Sequence, residues 1–189
     1  MRDFKISLSG GALLGFSLIY FYDSGGVIAA LIPAVIAHEL GHAAVLLLQK
    51  SRLLGLRLTL AGFRMDYAGF PGRGGEFAML AAGPACGVFY AIFAAHLGSG
   101  GRSEFLLCSA GISLVLSIFN LLPAPMLDGG QILLILFGAR TLEVSGCLTG
   151  GIITLAGVVA AAKGYGTALT LAGGYILMGT CKWAKHSIK

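Results

Sequence analysis

Long apolar runs alternate with short polar breaks along this chain, and their lengths set the fold class before any other property is considered. Apolar stretches over about 4–22, 26–49, 76–97, 104–122, 142–162 and 165–181 predict six transmembrane helices, since crossing the hydrocarbon core takes about 20 apolar residues. The run 131–137 is too short to span and reads as a re-entrant or interfacial helix. Between 53 and 70 the period changes. Leu54, Leu56, Leu58 and Leu60 alternate with Gly55, Arg57 and Thr59, and after Ala61-Gly62 a second short run covers 63–67. Period-two patterning around a glycine turn predicts a β-hairpin, with a plain connecting loop as the alternative. A hairpin at membrane depth has to lie against protein or in a wet cavity, because its edge amides cannot be left in lipid. The expected fold is therefore an all-α polytopic membrane protein of one domain, 1–189, with a core at about 26–133 and additional spans at about 142–181. It carries a small membrane-associated hairpin and a broken segment at about 120–130.

Composition agrees with this class. Of 189 residues, 57% are hydrophobic and 11% charged, and the mean hydropathy of +0.88 lies outside the range of ordinary soluble domains. The formal charge of +5 could suggest nucleic acid, but the basic residues are scattered through the loops between apolar runs. With a cytoplasmic N-terminus, Arg2, Lys5, Lys50, Arg52, Arg57, Arg64, Arg73, Arg140, Lys182, Lys185 and Lys189 fall inside. Only Arg102 and Lys163 fall outside. That asymmetry predicts both termini in the cytoplasm and a multi-pass protein of the cell membrane, read as bacterial, with lipid and not nucleic acid as its surroundings. Cys86, Cys108, Cys147 and Cys181 are isolated, with no CxxC spacing, and read as packed thiols. Thirty glycines suit closely packed membrane helices. No cleavable signal peptide is evident.

The chemistry centres on His38-Glu39-Leu40-Gly41-His42, which interrupts an otherwise apolar run. On a helix, His38 and His42 project from one face about 6 Å apart along the axis. Two imidazoles so placed can chelate zinc, and Glu39 can take a proton from water at the metal's open position. The plain alternative is a chance match with packed histidines. Against it, an acid at mid-membrane costs roughly 2.5–3.5 kcal/mol, whereas each Leu or Ile returns only about 0.3–0.6 kcal/mol.

A third ligand is suggested further on. In Asn120-Leu-Leu-Pro-Ala-Pro-Met-Leu-Asp128-Gly-Gly, Pro123 and Pro125 forbid a regular helix, so the backbone should open before Asp128. Broken backbone at membrane depth lines a cavity, which makes Asp128 a candidate partner for the two histidines. A surface Pro-Asp-Gly turn is the other reading. The six-span topology ends the second and fourth spans on the same side, so the three side chains can meet.

These residues resemble the site-2 proteases, intramembrane zinc metalloproteases of regulated intramembrane proteolysis. The matching parts are HELGH at 38–42, Gly83-Pro84 in the following span, and Asn-x-x-Pro-x-x-x-x-Asp-Gly from Asn120 to Gly129. The resemblance implies one Zn2+ per chain on His38, His42 and Asp128, Glu39 as catalytic base, and Asn120 as a substrate-binding residue. It also implies a transmembrane protein substrate, with a membrane-protein regulator as a further candidate partner. The short subgroup without a PDZ domain is the most similar, since 50–75 leaves no room for one. That subgroup includes the bacterial sporulation protease that cleaves a pro-sigma factor, but no CBS domain is expected here. Cys86-Gly87 stand where many relatives carry an asparagine. The rival readings are an ion or metal transporter using the buried His and Asp residues, and a catalytically silent scaffold.

Overall fold

The computed structural model describes residues 5–8, 26–59, 62–68 and 72–187. The chain forms two compact units, Met1–Ile118 and Phe119–Lys189.

The first unit begins with strand β1, Lys5–Leu8, followed by helix α1, Val27–Leu48, and strands β2, Arg52–Thr59, and β3, Gly62–Ala68. Strand β1 pairs parallel with β2, Lys5 opposite Gly55 and Leu8 opposite Leu58. A parallel pair needs a long crossover, and the connection containing α1 supplies it. Strand β3 runs antiparallel to β2, Arg52 opposite Ala68 and Thr59 opposite Gly62, with a register shift between Leu53 and Gly55. The sheet order is β1-β2-β3, so β1 and β3 are its edges. This corrects one expectation: the first span cannot start at Phe4, because Lys5–Leu8 is extended and paired with β2. The rest of that expected span, 9–22, lies outside the described residues.

Helix α2, Arg73–Gly101, runs on through Pro84, as α1 does through Pro33. Both prolines leave a carbonyl one turn earlier without its helical N–H. Helix α3, Glu104–Asn120, follows after Arg102, whose left-handed backbone (φ 52°) closes α2 with an N–H donated to the Gly98 carbonyl. Small residues let these helices touch. A Cβ on Gly41 would stand 2.3 Å from the Ala82 carbonyl oxygen, so α1 meets α2 backbone to backbone there. Helices α2 and α3 are joined by buried hydroxyls on one face of α3. The Ser113 hydroxyl donates to the Gly87 carbonyl at 2.8 Å, and Tyr90 Oη and Ser109 Oγ share a hydrogen bond of 2.8 Å. Ser109, Ser113 and Ser117 are all fully buried, which is affordable because each hydroxyl has a partner.

The second unit holds the end of α3 and the turn that Pro123 and Pro125 impose. Helices α4, Asp128–Phe137, α5, Ala139–Ala162, and α6, Ala168–Ser187, follow. Helix α4 starts three residues earlier than the apolar run, so Asp128 is its first residue. The turn packs directly on that start. A Cβ on Gly129 would lie 2.0 Å from the Leu121 carbonyl oxygen, and one on Gly130 would lie 1.9 Å from that of Ala124. Only glycine fits at either position. The Gln131 side-chain amide donates to the Pro125 carbonyl and pins the turn from the helix side. Around it Ala124, Leu127 and Ile176 form a buried apolar cluster, covered by Phe119, Leu122, Met126 and Ile153.

Among the described residues, α1, α2 and α5 are long and apolar enough to cross a membrane, with 22, 29 and 24 residues. At 22 residues α1 is about 33 Å long, a match to the roughly 30 Å hydrocarbon core.

Candidate metal centre

Helix α1 carries both histidines on its buried face. His38 is 4% exposed and His42 6%, and their Nε2 atoms stand 3.2 Å apart. The rings meet nearly edge to face, with centroids 4.8 Å apart and planes at 79°. Zinc holds imidazole nitrogen at about 2.0–2.1 Å, so two donors of a tetrahedral shell are separated by about 3.3–3.4 Å. The observed spacing is close to that edge. The same spacing also suits a hydrogen bond between the two rings.

A second contact fixes which nitrogen of His42 can serve. His42 Nδ1 lies 2.8 Å from the Met79 carbonyl oxygen. A carbonyl only accepts, so Nδ1 carries the proton and Nε2 presents its lone pair toward His38. A backbone carbonyl orienting the far side of a metal-ligating imidazole is a common device at zinc sites. Gly83, one turn after Met79, completes the arrangement. A Cβ at Gly83 would stand 2.2 Å from His42 Nε2 and 2.4 Å from Cε1, so the ring occupies space that any side chain would fill. Met79 carries no sequence signal, and the sequence offers Gly83 only as a small residue and as half of the Gly83-Pro84 pair. The signal available was Gly83-Pro84 following HELGH, but nothing in the sequence says which carbonyl faces which ring.

Glu39 is half-buried on α1 beside His38. It is rotated about 100° from it around the helix axis. Asp128 and Asn120 belong to the second unit. Asp128 is half-buried at the first position of α4, where the positive end of the helix dipole favours a carboxylate. Asn120 is the half-buried last residue of α3. The structure thus pairs His38 with His42 and sets Glu39 next to them, while Asn120 and Asp128 flank the proline turn of the second unit.

Comparison with known proteins leads in the same direction. The sequence model of peptidase family M50 matches residues 94–161, a segment that contains the proline turn and Asp128 but not HELGH. No curated protein matches. Among solved structures, the site-2 protease from Methanocaldococcus jannaschii is similar with a TM-score of 0.68 and 21% identity, over 96% of this chain and 91% of that one. The fold is therefore that of a site-2 protease.

Proposed function

We propose that this chain is an intramembrane zinc metalloprotease that hydrolyses peptide bonds in or near transmembrane segments of membrane-bound substrates. In this reading the two units act as one catalytic domain, and His38, His42 and Asp128 hold one zinc ion. Two imidazoles and a carboxylate are a donor set able to bind a metal, and three protein ligands leave the open position that catalysis needs. The observation that carries the reading is the buried Nε2 pair at 3.2 Å, with the His42 tautomer fixed by Met79. A hydrogen bond between the two rings would set the same spacing, and zinc content of the purified protein separates the two readings.

A zinc ion there would act as a Lewis acid on the scissile carbonyl and ease ionisation of the attacking water. Glu39 accepts the proton of that water and delivers it to the leaving amine. Asn120 holds the substrate backbone or the developing oxyanion by its side-chain amide. Helical peptide bonds are shielded by their own hydrogen bonds, so the substrate has to unwind first. Strands β1 and β3 are the sheet edges, and an edge can receive an extended segment by strand addition. The six-span arrangement with both termini in the cytoplasm belongs to the same reading, which places water access on the cytoplasmic side.

The test is purified protein in proteoliposomes with a single-span substrate. Wild type should contain about one zinc per chain and cleave, and Glu39→Gln should keep the metal and lose cleavage. Metal-dependent ion flux without proteolysis would replace this reading by transport.

A further inference from the structure

Helices α5 and α6 carry one cysteine each, Cys147 and Cys181, both free and both exposed. Their relation follows from how the two helices pack. A Cβ on Gly157 would meet the backbone of Thr170, one on Gly173 the backbone of Thr154, one on Gly150 the side chain of Leu177, and one on Gly146 that of Thr180. These contacts define a continuous antiparallel register in which each turn back along α5 matches a turn forward along α6. At its end Gly146 faces Thr180. One residue further on each helix is a cysteine. A step of one residue turns a side chain by about 100°, and in an antiparallel pair that step carries both side chains to the same flank of the interface. The thiols of Cys147 and Cys181 are indeed close enough to interact directly. The close approach of the helices that the glycines permit is what an interhelical disulfide requires.

The pair lies toward the polar end of both helices. Exposed Arg140 stands in the first turn of α5, and exposed Lys182 and Lys185 in the last turns of α6. Cys147 lies about 11 Å along the axis from Arg140. Basic residues at helix ends mark the water interface, so a soluble reagent can reach this flank.

We propose that Cys147 and Cys181 form an oxidisable dithiol, a modification site that closes to an intramolecular disulfide joining α5 to α6 by exchange with a low-molecular-weight disulfide. One thiol loses its proton and attacks the small disulfide, forming a mixed disulfide and releasing one small thiolate. The second thiol then loses its proton and attacks the protein sulfur of the mixed disulfide, releasing the second thiolate. The two protons end on the two small thiols, and the protein loses two electrons to the reagent. The closed form ties together the two helices of the second unit. Nothing in this step uses the metal centre, so its outcome is independent of the proteolytic reading.

The experiment uses the full chain in detergent micelles, reduced, freed of reductant, exposed to oxidised glutathione, quenched with an alkylating agent and mapped by peptide mass spectrometry. The expected product is a single chain with its Cys147 and Cys181 peptides linked, about 2 Da lighter than the reduced chain and restored by reductant. Cys147→Ser should instead keep glutathione on Cys181. The proposal is overturned if both residues of wild type retain glutathione without closing, if the link joins two chains, or if Cys108 reacts while the pair does not.

Discussion

Replacing Gly83 by alanine adds one methyl group to the wall of the candidate metal centre, and its effect can be worked from the contacts. The new Cβ would stand 2.2 Å from His42 Nε2, 2.4 Å from Cε1 and 2.8 Å from Cδ2. Ordinary contact begins at 3.4 Å, so the ring has to withdraw by about 1.2 Å, whereas metal–ligand bonds tolerate only about 0.2 Å. Any retreat also stretches the 2.8 Å bond from Nδ1 to the Met79 carbonyl, and leaving that buried polar pair unmade costs about 1–3 kcal/mol. Loss of an orienting partner alone weakens metal sites by roughly 10–100-fold. Here the ligand itself is displaced as well, so zinc affinity should fall by at least about 100-fold. The assay is chelator competition for zinc on purified protein in micelles, with helicity recorded in parallel. Gly74→Ala, on the same helix with nothing within 4 Å, is the control and should bind zinc as wild type does. A Gly83→Ala protein that is helical and binds zinc with wild-type affinity would refute the placement of His42.

Glu39→Gln should hold zinc and lower the cleavage rate by about 10²–10⁴-fold, read in proteoliposomes. Asp128→Ala should lose most of its zinc, measured by metal analysis after dialysis. Gly87→Ala should unfold more readily, because its Cβ would meet the Ser117 hydroxyl at 2.3 Å. Adding Ser117→Ala should restore stability, since the Ser117 Cβ stands at an ordinary 3.6 Å. An overpacked site of this kind costs about 1–3 kcal/mol, readable as a shift in thermal midpoint. The single and double variants should bind zinc equally, which separates packing on α2 from the chemistry at Gly83.

Much of the architecture is legible in the sequence because it is local. The apolar run 26–49 predicts a helix, and α1 occupies Val27–Leu48. The i,i+4 spacing predicts that His38 and His42 share a face, and both are buried side by side. Pro123 and Pro125 predict the break after α3, and the helix ends at Asn120. What the sequence hides is pairing between distant segments. Strand β1 reads as the start of an apolar span because four residues carry too little periodicity to reveal a parallel partner fifty positions away. Asp128 reads as part of the segment broken by the two prolines, yet it opens α4, where Gly129 and Gly130 fit against the carbonyls of Leu121 and Ala124. The Met79 carbonyl carries no side-chain signature at all, so its bond to His42 is visible only once α1 and α2 are seen together.

X-ray absorption at the zinc edge, on wild type beside Asp128→Ala, probes the metal-holding set most directly. The expected spectrum for wild type is two imidazole nitrogens and light oxygen donors at about 2.0–2.2 Å, with an oxygen shell altered or zinc lost in the variant. A protein that takes up no zinc, or a shell identical in both, would contradict the assignment.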